Sequence, residues 1–116
     1  MNRKATLPNI DDQKWLSELE NVLREHIGDY NLSTDRIADM LHISRSQFYR
    51  RVRLLTGLTP IEYLQTIRFN HARLLFEQRT VSSVKAAAAA VGMRQVQNFS
   101  QHFKERFGKL PSEYLT

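Results

Sequence analysis

The sequence predicts an all-α fold of seven helices, made of two short-helix, turn, long-helix units with one long helix between them. Three observations predict it. Apolar residues recur at spacings of three and four along the chain, with no strand-like alternation. The four glycines and three prolines punctuate the periodic stretches. And a set of residues recurs once, at a nearly constant offset.

In chain order, residues 1–11 are polar, contain Pro8 and are expected to be a flexible linker. Asp11 or Asp12 can cap a first helix whose apolar face is Trp15, Leu16, Leu19, Val22, Leu23 and Ile27, with Gly28 as its stop. Ser33 then caps a short helix that buries Ile37, Ala38 and Leu41. After a turn at His42-Ile43, Ser44 caps a longer helix that buries Phe48, Val52 and Leu55 and ends at Gly57. Thr59-Pro60 places a cap before a proline at the first helical position, opening a helix that runs to about Gln78. On it Ile61, Leu64, Ile67, His71, Leu74 and Leu75 are expected to share the buried side. Ser82 or Ser83 caps a fifth helix, Gly92 makes its turn, and a sixth from about Val96 to Phe107 buries Phe99, Phe103 and Phe107. Pro111 opens a last short helix to Tyr114. The expected organisation is therefore a linker over 1–11, a first subdomain over 12–58, a linker helix over 59–79 and a second subdomain over 80–116.

The repeat gives the units their meaning. Gly57-x-x-Pro60-x-x-Tyr63 recurs 51 positions later as Gly108-x-x-Pro111-x-x-Tyr114, with Phe48 matching Phe99 and Val52 matching Phe103. Ahead of the turn the offset falls to 50, Ala38 matching Ala88 and Leu41 matching Val91, so the second turn holds one residue more. A small residue where two helices cross, a tight turn and a longer second helix are the anatomy of a helix-turn-helix. The fold class is thus two helix-turn-helix subdomains joined by a long linker helix. An αα-hairpin repeat used only for packing has the same outline; the surface residues discriminate.

Those surfaces are basic or amide-rich. The 116 residues hold 17 Lys and Arg against 12 Asp and Glu, a formal charge of +5, which favours an anionic partner. With Phe48 and Val52 inward, Arg45, Ser46, Tyr49, Arg50 and Arg53 face outward on the helix from Ser44. Arg45, Arg50, Arg51 and Arg53 fall within nine residues and no acid interrupts them. Solvated helix faces usually mix signs to gain pairs one turn apart. Arginine reads guanine through a bidentate bond to O6 and N7 and also attracts phosphate. The second long helix presents Arg94, Gln95, Gln97, Asn98, Gln101 and Lys104, and amides bond adenine bidentately in the same way. Lys85 and Arg106 flank it as candidate phosphate contacts.

Composition excludes other chemistries. There is no cysteine, so disulfides, thiolate metal sites and cysteine nucleophiles are absent. His26, His42, His71 and His102 lie far apart with no ligand-spaced partner, so neither a metal nor another cofactor is expected. No nucleophile–base pair, carboxylate pair or glycine-rich phosphate loop points to an enzyme. No apolar run nears the roughly 18 residues of a membrane span, and no apolar stretch follows Arg3-Lys4 as in a signal peptide. The expected location is the cytoplasm. A protein-interaction domain that has kept this fold is the rival reading; the arginine face speaks against it.

These residues resemble the DNA-binding domain of the AraC/XylS family of bacterial transcription regulators over about residues 12–115. The second unit carries the resemblance in Ser83-Val84, Ala88, Val91-Gly92, Asn98-Phe99-Ser100, Phe103-Lys104, Phe107-Gly108, Pro111 and Tyr114. The first carries it in Ala38, Leu41, Ser44-Arg45-Ser46, Tyr49-Arg50 and Thr56 to Pro60. The resemblance implies recognition helices in successive major-groove segments. It implies base contacts at Ser46, Tyr49 and Arg50, and at Gln95, Val96, Gln97, Asn98 and Gln101, Val96 offering only an apolar contact. It further implies double-stranded DNA and RNA polymerase as partners, activation as the commoner outcome, and a second, signal-receiving domain. The isolated domain is then expected to be a monomer and the full-length protein a dimer. The wording Thr56 to Pro60 resembles output modules of hybrid two-component regulators. Ala86 and Ala87 replace the usual acidic residue and isoleucine, and Gln101 replaces a common arginine. The second unit is therefore expected to pack less firmly and to bind more weakly than the first.

Overall fold

The computed structural model describes residues 10–116, so most of the expected linker, residues 1–9, lies outside the described residues. Six α-helices follow one another: α1 (Ile10–Glu25), α2 (Thr34–Met40), α3 (Arg45–Thr56), α4 (Pro60–Glu77), α5 (Val84–Ala90) and α6 (Val96–Phe107). The seventh helix is a 3-10 helix, Pro111–Leu115. Its five residues are too few to close more than a turn of α-helical bonds. No strand occurs among the described residues. Helix α1 begins at Ile10, with Asp11 and Asp12 in its first turn, where carboxylates suit the positive end of the helix dipole.

The chain forms two compact units, one of the residues through His26 with Leu32–Gln65, the other of Ile27–Asn31 with Thr66–Thr116. The first unit buries Trp15, Leu19, Leu23, Ile37, Ala38, Phe48, Val52 and Leu64. Trp15 meets Phe48 edge-on at 6.2 Å, anchoring α1 on α3. The second unit is built on rings. Phe69 stacks on Phe99 at 5.6 Å, and Phe76 and Tyr114 each meet Phe103 edge-on at 5.6 Å. Ala87 and Ala88 are fully buried in that cluster, while Ala86, Ala89 and Ala90 face outward.

The repeat is visible in the backbone. Helices α2 and α5 have seven residues each, and α3 and α6 have 12 each. After each short helix an amide reaches back to the small crossing residue: Ile43 N to Ala38 O at 3.1 Å, and Met93 N to Ala88 O at 2.8 Å. The chain then enters α3 through residues 41–44 and α6 through residues 91–95, so the extra residue falls inside the second turn. Both turns pass through a left-handed residue, His42 at φ 60° and Gly92 at φ 77°. Only the second requires glycine for space: a Cβ there would lie 2.6 Å from Ile27 O and 2.8 Å from the Arg68 guanidinium.

The linker helix corrects the expected face of α4. Of the expected residues Leu64 is buried and Ile67 and Leu75 pack half-buried on the second core, but Ile61 is 62% exposed and Leu74 42% exposed, and Arg68, Phe69, Ala72 and Phe76 are the further buried positions. The helix serves two cores, Leu64 in the first unit and Phe69, Ala72 and Phe76 in the second. A single stripe drawn along the whole helix does not describe a buried face divided between two cores. Its start is set by Thr59, whose hydroxyl accepts from Glu62 N at 3.2 Å while the Glu62 carboxylate accepts from Thr59 N at 2.9 Å.

Candidate nucleic-acid interface

Helix α3 is fixed in rotation before any ligand is considered. Ser44 Oγ accepts from Gln47 N at 3.1 Å, and Gln47 Oε1 accepts from Ser44 N at 3.3 Å, a reciprocal cap that satisfies two orphan amides. Gly57 ends the helix in the left-handed conformation, φ 77°. Phe48 and Val52, one turn apart, are buried. The opposite face therefore points to solvent, and Arg45, Ser46, Tyr49, Arg50 and Arg53 are all exposed.

The arginines do not share one fate. Arg50 is exposed and has no ion-pair partner among the described residues. Arg45 meets Asp35 of α2 at 3.1 Å, both side chains well exposed. The acid missing from α3 is thus supplied by its neighbour, and the pair is wet enough to exchange for a phosphate at little cost. Arg53 donates to Gly57 O at 2.7 Å and so caps the helix end, leaving its other donors outward. Arg51 is turned back into its own unit, its guanidinium 4.6 Å above the Trp15 ring and 3.2 Å from Asp12.

Helix α6 is set in the same way by Phe99 and Phe103, and ends at Gly108 with φ 83°. Arg94, Gln95, Gln97, Asn98, Gln101 and Lys104 are exposed, whereas Val96 is half-buried. The N-cap is Gln95, which makes no side-chain cap bond. Instead its carbonyl accepts from the Asn98 side chain, so these two amides are held as a pair at the helix start. Arg94 lies 3.9 Å over the Tyr30 ring. Lys85 is exposed on α5. Arg106 is held against its own unit, donating to Thr66 at 3.4 Å and covering Phe69 at 4.8 Å.

Sequence reasoning missed two contributors to this region. The α1–α2 loop, residues 27–31, belongs to the second unit and brings Tyr30 beside Arg94. Arg68 is buried, and its guanidinium donates to Asp29 O at 2.9 Å. Burial holds its pKa below the ordinary arginine value, with the nearby Asp29 acting in the opposite direction. Neither has a local signature: a loop tyrosine carries no periodicity, and an arginine in a helix reads as solvated surface whatever its neighbours.

Known proteins share this geometry. A helix-turn-helix domain family matches over residues 37–116. A transcriptional regulator from Chromobacterium violaceum, with an AraC-type DNA-binding domain, superposes with a TM-score of 0.81 at 31% identity, covering 92% of this chain and 94% of that one. The DNA-binding domain of the global transcriptional factor AdpA, solved in complex with a target DNA, superposes at 0.75 with 31% identity, over 86% and 88% of the two chains. A histidine kinase P4 from Formosa agariphila is 25% identical over 96% of this chain, which spans 8% of that protein. The chain spans between 8% and 52% of the length of the first curated relatives it matches. Two helix-turn-helix units with outward donor faces, matched in sequence and in shape, place the chain in the AraC/XylS family of DNA-binding transcription regulators.

Proposed function

We propose that this chain reads a bipartite duplex operator, α3 in one major-groove segment and α6 in the next, about 10 bp away. The observation that carries the reading is the rotation of the two long helices: buried phenylalanines turn a donor-rich, exposed face outward on each. In this reading Arg45, Ser46, Tyr49 and Arg50 address the first segment, with Arg53 at its edge. Gln95, Gln97, Asn98 and Gln101 address the second, with Val96 against a thymine methyl, and Arg94, Lys85 and Lys104 on phosphates. Engaging both segments from linked units can require the duplex to bend, at a cost of about 1–6 kcal/mol that depends on the intervening sequence.

The AdpA domain in complex with its target DNA supports this use of the fold. Within a longer protein the chain serves as the output module. The histidine kinase relative, in which the matched segment is a small fraction of the whole, favours a sensory two-component architecture. A partner domain would then pair two copies and raise their effective concentration on paired sites. The isolated domain is monomeric, works in the cytoplasm, has no enzymatic step of its own and activates transcription through RNA polymerase.

Binding to a random duplex pool near physiological salt, with sequencing of the retained fraction, tests the reading. Enrichment of two halves about 10 bp apart is expected. A single enriched half would leave only one unit as a reader. No enrichment, together with weak binding that salt does not change, would favour the protein-interaction alternative.

A further inference from the structure

The α1–α2 loop follows a helix of the first unit in sequence, yet residues 27–31 pack within the second unit. Two contacts seat it there. Arg68 donates to Asp29 O at 2.9 Å from α4. A Cβ on Gly28 would make a tight 3.3 Å contact with Ala90 O, and one on Gly92 would lie 2.6 Å from Ile27 O, where no side chain fits, so the loop packs closely on α5 and on the turn before α6. The loop then exposes Tyr30, 49% accessible, with the Arg94 guanidinium 3.9 Å above its ring. Tyr30, Asn31, Lys85, Arg94 and Val96 line one open groove at the entrance to α6. Asp29 lines the groove as well, and the two cations Lys85 and Arg94 outweigh that one acid, which favours an anionic occupant. The acid of the loop, Asp29, accepts from Asn31 N at 2.8 Å.

We propose that this loop is a DNA-contacting element of the second unit. In this arrangement Tyr30 fixes Arg94 against its ring, and Asn31 and Lys85 stand beside it along the phosphate backbone that flanks the segment read by α6. The proposal rests on the reading of α6 as a DNA-facing helix. It differs from what chain order suggests, because a loop between helices of the first unit would be expected to serve the first segment.

The absence of native cysteine makes the test direct. Single variants Asn31→Cys in the loop, His102→Cys on α6 and Leu54→Cys on α3 each carry a tethered hydroxyl-radical cleavage reagent. The DNA is the bipartite duplex recovered by selection. Cleavage from Asn31→Cys is expected to overlap that from His102→Cys and to be separate from that of Leu54→Cys. If His102→Cys cleaves and Asn31→Cys does not, or if the loop probe cuts with Leu54→Cys, the loop proposal is overturned while the reading of α6 stands. If His102→Cys fails although Leu54→Cys cleaves, the reading of α6 falls and the proposal with it. As a second measurement, Tyr30→Ala is expected to weaken binding about two- to fivefold, the scale of an exposed cation–π contact. On a duplex truncated to the first half, so that the flanking phosphates of the second segment are gone, it should match the wild type; an equal loss on both duplexes would also overturn the proposal.

Discussion

At the scale of single residues, backbone conformation and local hydrogen bonds dominate. Gly57 and Gly92 both sit at φ 77°, but nothing lies within 4 Å of a Cβ on Gly57, whereas one on Gly92 meets a carbonyl and a guanidinium. Gly57→Ala should therefore cost only the left-handed penalty, about 1–2 kcal/mol. Gly92→Ala should cost distinctly more, since Ile27 O is backbone and cannot move aside cheaply. Urea denaturation of the two variants gives the order, and equal costs would contradict the packing of the turn. Glu62 supplies a pH signature. The Thr59 amide on its carboxylate lowers its pKa from the ordinary 4.5, opposed by desolvation and helped further by the Thr59 hydroxyl and Arg53. A depressed carboxylate pKa contributes stability that is present above the unfolded value and lost as pH falls through the folded one. Wild type should thus exceed Glu62→Gln in stability near neutrality, and the gap should close on acidification below about 4.5. A gap that stays constant with pH would mean that the cap does not depend on the charge.

At the scale of elements, α3 separates arginines that hold the fold from arginines free to meet a ligand. Arg51 is tied to Trp15 and Asp12, so Arg51→Ala should lower stability by about 1 kcal/mol and leave sequence preference unchanged. Arg50→Ala should do the reverse, with little change in melting and a loss of about 1–3 kcal/mol in discrimination at one base. Thermal melts beside competition binding with single-base operator variants distinguish them. In α6, Phe103 is fully buried and touches Phe76, Phe99, Phe107 and Tyr114. Phe103→Ala should cost about 3–5 kcal/mol, a large share of the stability of a small domain. Hydrogen exchange should show the loss first in α5 and α6; uniform loss across the chain would mean that the two units unfold as one.

At the scale of the whole molecule, the net charge of +5 favours an anionic partner, but the number of phosphates its cations neutralise sets how binding responds to salt. Each phosphate neutralised contributes about 0.9 to the slope of log affinity against log salt. Lys85→Ala and Arg94→Ala should each flatten that slope by about 1, with affinity falling evenly across sequences. Gln97→Ala should leave the slope intact and relax the preference at one base pair. A slope unchanged by the cation variants would remove Lys85 and Arg94 from the phosphate interface.

Local patterns carried much of this in the sequence. Ser33, Ser44 and Thr59 mark helix starts because a side-chain oxygen beside an orphan amide acts within three residues. Gly57, Gly92 and Gly108 mark ends because the left-handed turn is a property of one residue. Phe48 with Val52, and Phe99 with Phe103, fixed the rotation of both long helices through the helical period alone. That was enough to orient the outward donors. The tertiary structure decided what depends on distant partners. Arg51 finds Asp12 and Arg68 finds Asp29, each across 39 residues, so no local window distinguishes a tethered arginine from a free one. The buried stripe of α4 changes along its length because two cores claim one helix. The loop at Tyr30 joins the second unit because Arg68 and Gly92 receive it there. Periodicity reports which face of a helix is buried, whereas the identity of what covers it is fixed only when the whole chain packs.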